Sequence, residues 1–268
     1  MIGRSLLLAL AAALWSQPAM AETVRFPTAP LPPLLAMLGG DRAGAPPVQV
    51  SGELYRPAGP GRFPAVVGLH GCGGRRQAWE DALGAQVTAL GWVMLSVDSF
   101  GPRGVTHRCT ADIGTIVERV RDAYGALRYL ADLPFVDKDR IAVLGFSQGG
   151  MAALSAVRPE VAGAMPQQRF RAAVAYYPWC VDQKFAVPTL ILIGELDDWT
   201  PARLCREMTA QRGEGSPVRL VVYPGAHHGF NFPWPRPIDM FGHRLEYDEA
   251  ATRAAWEETV GALRAAFR

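Results

Sequence analysis

The sequence has only four cysteines in 268 residues, and none are spaced as C-x-x-C. That argues against a zinc site. Charge of either sign is weak: the net value is +2, with no basic run. Nothing electrostatic therefore points to nucleic acid. There is no internal repeat and no linker-like stretch that would divide the chain. The apolar run Ser5 to Trp15 (SLLLALAAALW) is too short to span a bilayer, and no other stretch is long and apolar enough to do so.

Such a short apolar run after Arg4 instead has the form of an export signal. Ala19-Met20-Ala21 fits the small-x-small cleavage pattern, so residues 1–21 are expected to be removed and the mature chain to start at Glu22. The other reading is an uncleaved anchor. After cleavage no membrane span is expected, and the protein would be periplasmic or secreted. In that setting an even number of cysteines suggests disulfides. Of the three possible pairings, Cys72–Cys109 and Cys180–Cys205 each join loops after neighbouring expected strands. Buried free thiols are the alternative.

Residues 22–47 are rich in Pro, Ala and Leu, and read as a leader lying across the surface, with one short helix near Leu34 to Leu38. From 48 to 268 the pattern is one α/β domain. Strands are expected at Val48 to Tyr55, Ala65 to Leu69, Trp92 to Val97, Ile141 to Leu144, Ala172 to Tyr176, Leu190 to Ile193 and Val218 to Tyr223. Helices are expected at Ala78 to Leu90, Ile113 to Leu130, Gly149 to Val157, Ala202 to Gln211 and Glu249 to Phe267, the last with Trp256, Val260 and Leu263 on one side. Short apolar runs alternating with amphipathic segments imply a mostly parallel sheet of about seven or eight strands, with helices on both faces.

Gly145-Phe146-Ser147-Gln148-Gly149 reads G-x-S-x-G between an expected strand and an expected helix. That context can hold a serine on a sharp elbow with its hydroxyl exposed. A serine hydroxyl needs a base, and the base an orienting acid. In a parallel sheet these would gather at the carboxyl ends of later strands. Asp197 and Asp198 follow the strand LILI, and His227 and His228 follow Val218 to Tyr223. Asp197 is preferred as acid, with Asp198 as the local structural residue; the alternative is that one of the two caps the next helix at Thr200-Pro201 and the other is solvated. His228 is preferred as base over His227, because Gly-Phe follows it. The loop His70-Gly71-Cys72-Gly73-Gly74 resembles the HGGG-type loop that offers a backbone N–H to an oxyanion. Cys72 and Gln148 are the expected donors. Trp179, Trp199, Phe230, Phe232 and Trp234 fall in loops at the same end and could line a pocket or cover the core rim. Arg103 could meet an anionic substrate group, or pair with Asp98 or Asp112.

LHGCGG, DSFGPRG, GFSQGG, GELDDWTP and YPGAHHGF together resemble the α/β-hydrolase fold and, within it, the dienelactone hydrolase family, from about Val48 to the closing helix. The resemblance implies Ser147 as nucleophile, Asp197 as acid, His228 as base, and a compact domain without a large inserted lid. It implies a small ester or lactone substrate, no cofactor and no metal. The best-known members carry cysteine at the elbow. Ser147 is what ordinary esterases carry, and it moves the expected substrate from a dienelactone toward small or polymer-derived esters. A peptidase of the same fold and a non-catalytic binding protein are the alternatives.

Overall fold

A computed structural model describes residues 20–30, 46–110, 113–165, 167–211 and 218–268. Strand β1 (Met20–Pro27) is followed by β2 (Gln49–Arg56), β3 (Phe63–Leu69), helix α1 (Gln77–Ala89) and β4 (Val93–Asp98). Helix α2 (Ile113–Asp132), β5 (Val136–Phe146), α3 (Gln148–Ala156), α4 (Pro159–Ala164) and β6 (Ala173–Tyr176) come next. Then come β7 (Thr189–Gly194), α5 (Ala202–Ala210), β8 (Val218–Tyr223), the short strands β9 (Ile238–Met240) and β10 (His243–Leu245), and α6 (Glu249–Ala266).

Eight strands form one sheet in the order β1-β2-β4-β3-β5-β6-β7-β8. The pairs from β4 to β8 are parallel, while β1 and β2 run antiparallel at one edge. The parallel strands β3, β4, β6 and β7 are apolar almost without alternation, and most of their residues are buried. Both faces of the sheet are therefore covered by helices, as continuous apolar runs require. The α/β-hydrolase architecture expected from the sequence is what the chain adopts.

The elements differ from expectation in a few places. The edge strand β1 takes in the last two residues of the expected signal and the start of the supposed leader, paired with β2 from Met20↔Arg56 to Pro27↔Gln49. Val24 and Phe26 alternate into the core, and the Val48 N–H donates to the Thr28 hydroxyl at 3.2 Å. The expected helix near Leu34 lies outside the described residues. Strand β5 begins at Val136, five residues earlier than its apolar run. Buried Val136 pairs with Phe63, but the polar Asp137 to Arg140 between it and Ile141 hides the continuity. On α6 the buried stripe is Ala251, Ala255, Thr259 and Leu263, while Trp256 and Val260 lie at its margin. Asp248 caps that helix by accepting the Ala251 N–H at 2.8 Å.

The β9–β10 hairpin turns on Phe241 (φ 56°) and Gly242 (φ 81°). A two-residue primed turn needs positive φ at both positions, where Asn-Gly is usual. Its phenylalanine gave no turn signal in the sequence.

Because β3 to β8 are parallel, the loops after them converge at one end of the sheet. Ser147 follows β5, Tyr177 follows β6, Asp197 follows β7, His228 follows β8 and His70 follows β3.

Candidate active site

Ser147 sits between the last residue of β5 and the first of α3, with φ 51° and ψ −119°. Few side chains tolerate that conformation, and its strain persists because the surroundings fix it. The Ser147 N–H donates to the Tyr176 carbonyl at 2.9 Å, and its own carbonyl accepts the Met151 N–H at 3.0 Å. The flanking glycines are sterically required. A Cβ on Gly145 would strike the Gly149 carbonyl, and one on Gly149 would strike the Leu69 carbonyl.

His228 is buried, with Nε2 at 3.0 Å from Ser147 Oγ and Nδ1 at 2.8 Å from Asp197 Oδ2. A carboxylate accepts only, so Nδ1 carries the proton and Nε2 is left bare toward the serine. Asp197 is held in turn. Its Oδ1 accepts the N–H groups of Trp199 (3.0 Å) and Thr200 (2.7 Å). The Thr200 hydroxyl lies 2.9 Å from Asp197 Oδ2 and 3.0 Å from the Tyr177 carbonyl. The Tyr177 ring packs edge-on to the His228 ring, at 4.7 Å between centroids. The Tyr177 hydroxyl donates to Asn231 Oδ1 at 2.6 Å, and burial raises its pKa well above the usual 10, so it stays a neutral phenol.

The neighbouring candidates are elsewhere. Asp198 is exposed and faces the hairpin, accepting the Arg244 N–H at 3.4 Å. No side chain caps α5, whose cap residue is Pro201, and Asp197 itself closes the preceding turn. The alternative in which one of the two aspartates caps the helix is therefore not what the chain adopts. His227 points to Glu246, with 3.8 Å between Nε2 and Oε2.

On the other side of Ser147 lies the loop His70 to Gly74. Gly71 is close enough that a Cβ there would be 3.7 Å from Ser147 Cβ. Three consecutive carbonyls of this loop are tied down. The His70 carbonyl accepts from Arg119 Nη2, the Gly71 carbonyl lies 2.7 Å from His70 Nδ1, and the Cys72 carbonyl accepts the Arg108 N–H at 2.9 Å. The Ser99 N–H donates to His70 Nε2 at 3.2 Å. A backbone N–H can only donate, so Nε2 is the bare nitrogen and Nδ1–H donates to Gly71. Burial, reinforced by the Arg119 charge, holds His70 well below the usual imidazole pKa of 6.5, so the ring is neutral. In a trans peptide the N–H points opposite to the preceding carbonyl. Fixing the Gly71 carbonyl therefore fixes the direction of the Cys72 N–H. Gln148 opens α3, so its N–H has no acceptor within the helix.

Disulfides join Cys72 to Cys109 and Cys180 to Cys205. The first fastens the His70 loop to the segment after β4. The second fastens the loop after β6 to α5.

A cleft opens onto Ser147 and His228, lined among others by Trp79, Phe146, Tyr177, Trp199, Phe232 and Trp234. A second groove, bordered by Trp179, Met151 and His243, also reaches Ser147. Trp199 and Trp234 thus stand where the sequence suggested, and Trp179 (43% exposed) borders the second groove. Phe230 does not line the cleft. It is 0% exposed and packs behind Tyr177, at 5.5 Å between centroids. Along the stretch after His228, Phe232 faces the cleft and Phe230 the core. Arg103 does not line either opening: it grips buried Asp122 with two bonds, of 2.9 and 2.7 Å, rather than Asp98. Asp112, the other expected partner, lies outside the described residues. The sequence reading missed Trp79, because it lies on a helix rather than a loop. It missed Thr200 and Tyr177 because their roles depend on contacts between loops.

An eight-stranded, mostly parallel sheet with a serine elbow, a histidine and an aspartate at its carboxyl end defines an α/β hydrolase. Residues 50–267 match the model of the dienelactone hydrolase family. The chain belongs to that family and is a hydrolase acting on ester bonds. It is similar to a probable 2-oxo-3-(5-oxofuran-2-ylidene)propanoate lactonase of Bradyrhizobium sp, 27% identical over 79% of this chain and 87% of that protein. Among solved structures, a dienelactone hydrolase-like promiscuous phosphotriesterase from metagenomic libraries has a TM-score of 0.67 at 19% identity, over 92% of this chain and 99% of its own. A thermophilic carboxylesterase from a metagenomic library has 0.65 at 20% identity, over 97% and 93%.

Proposed function

We propose that this protein is a serine hydrolase that cleaves carboxylic esters or lactones through an acyl-enzyme. The observation that carries the reading is the continuous hydrogen-bond chain from Ser147 Oγ through His228 to Asp197, at 3.0 and 2.8 Å. Ser147 Oγ attacks the ester carbonyl as its proton passes to the bare Nε2 of His228. Asp197 holds the imidazole in the right tautomer and stabilises the imidazolium that forms. The new oxyanion accepts from the N–H groups of Cys72 and Gln148. As it collapses, the bond to the alcohol oxygen breaks and His228 returns the proton to that oxygen. Water then repeats the sequence on the acyl-serine, and Ser147 is restored.

Family membership and the similarity to a lactonase support ester or lactone chemistry. The aromatic walls of the cleft favour a substrate with an apolar or flat part next to the carbonyl. Two disulfides, with no membrane-crossing helix among the described residues, fit an extracytoplasmic place of action.

Hydrolysis of p-nitrophenyl acetate and butyrate by the wild type, beside Ser147→Ala, tests the reading. Loss of the nucleophile is expected to lower kcat by roughly 10⁴–10⁶ and to abolish labelling by a fluorophosphonate probe. A folded wild type that neither hydrolyses these esters nor reacts with the probe would overturn it.

A further inference from the structure

Arg119 lies in the middle of α2 and is 1% exposed, among the most buried side chains of the molecule. A buried guanidinium is costly unless its donors are used and its charge is answered. Among the described residues, no carboxylate lies within ion-pair distance of Arg119. Asp122, on the same helix, acts on its charge from farther off and is held by both terminal nitrogens of Arg103. Burial lowers the pKa of Arg119 to about 10, so it is still a cation at neutral pH.

The partners of Arg119 suggest a role. Nη2 donates to the carbonyl of His70, and Nη1 donates to the side-chain Oε1 of Gln148 at 2.9 Å. Its face lies over the Phe100 ring, 5.3 Å from the centroid. The Gln148 side chain passes the connection on, donating from Nε2 to the Arg108 carbonyl at 2.8 Å. The Arg108 N–H donates to the Cys72 carbonyl, and the chain then runs back through Gly71 to His70. The result is a closed ring of contacts through both residues whose N–H groups would face the oxyanion. The two come from different parts of the fold, the loop after β3 and the start of α3. Two groups bridge those segments: the Arg108 backbone, and the Arg119 side chain, which bonds both through its guanidinium.

We infer that Arg119 is a positioning residue of the oxyanion hole: it sets the spacing of the Cys72 and Gln148 N–H groups by gripping the His70 carbonyl and the Gln148 side chain at once. This rests on the proposed serine hydrolase reading. It goes beyond that reading in assigning a function to a residue that never meets the substrate. The guanidinium fork suits the task because its donors diverge in one plane toward two acceptors. A lysine would offer one nitrogen where two separated ones are used.

The test compares Arg119→Met, Arg119→Lys and Gln148→Met with the wild type. The last keeps the backbone N–H and removes only the side-chain link. For p-nitrophenyl butyrate, kcat is expected to fall roughly 10- to 100-fold in Arg119→Met, in the range typical of residues that orient a reacting group. Arg119→Lys should recover part of the loss, and KM should stay within about threefold. Affinity for an alkyl trifluoromethyl ketone, whose hemiketal places an anion in the hole, should weaken in step with kcat, which a merely structural role would not produce. If Arg119→Met does not fold, the other two variants carry the test. If the folded variants keep wild-type kcat and wild-type ketone affinity, the role assigned to Arg119 is wrong while the serine mechanism stands. A wild type inert to esters and to the ketone would overturn both together.

Discussion

On one side of Ser147, His228 and Asp197 sit in loops after the adjacent strands β7 and β8. The bonds that orient Asp197 come from its own turn and from Thr200 three residues on. On the other side, the His70 loop is held by α2, by the start of α3, by the segment after β4 and by a disulfide. The first half is local and compact. The second is assembled from segments far apart in sequence. Proton transfer needs one pair of atoms within reach of another. An oxyanion hole needs two backbone N–H groups from different elements at a fixed separation, and that geometry must be imposed from outside the loop.

The largest expected effect tests the local half. Asp197→Asn should keep the fold and the hydrogen-bond positions but favour the wrong imidazole tautomer. A fall in kcat of about 10⁴ is expected for p-nitrophenyl esters. Asp198→Asn, on the exposed partner of the hairpin, should leave kcat within a few-fold. Equal losses in the two variants would erase the distinction between the neighbouring aspartates.

The next effect separates the two disulfides. Each should contribute about 2–4 kcal/mol to stability, so Cys72→Ser/Cys109→Ser and Cys180→Ser/Cys205→Ser should both lower Tm. Only the first pair should also lower kcat at a temperature where both proteins are folded, because only that bond anchors a predicted oxyanion donor. If the second pair costs as much activity as the first, the assembled half gains nothing from its staple.

The smallest effect concerns His70. Its folded pKa lies below the unfolded value, so the unfolded state binds the proton first as pH falls. Its contribution to stability is fully present above about pH 6.5 and is lost below it, with a slope of up to ~1.4 kcal/mol per pH unit. Chemical denaturation between pH 7.5 and 5 should show this decline, and His70→Gln should flatten it. An unchanged slope in the variant would mean that other groups carry the acid sensitivity.

The same contrast explains what could be read from the sequence. The succession of strands along the chain, the elbow and the loops carrying Asp197 and His228 were legible because each polar residue ends an apolar run, and such ends gather at one edge of a parallel sheet. The Cys72 and Gln148 positions were legible as motifs, but what holds them was not. In VERVRDAY, Arg119 and Asp122 look like the solvated face of an amphipathic helix, yet both are buried. Only the packing of α2 against the His70 loop and α3 gives Arg119 its acceptors. Arg103 does form a structural bridge, but its partner was hidden for a similar reason: Asp122 lies nineteen residues away on that same helix. Phe230 and Phe232 differ only in which way the chain turns after His228, which the sequence does not record.

The edge strand β1 has a practical consequence for anyone expressing this protein. The family match begins at residue 50, but β1 pairs with β2 from Met20, and from Glu22 in the expected mature chain. A clone trimmed to the family boundary would lose the partner of β2 along its whole length, together with the buried side chains of Val24 and Phe26. It would leave a long row of unpaired backbone groups open to another chain. For this protein the homology boundary and the folding boundary are different places, and a vector drawn from the first would produce material prone to aggregate.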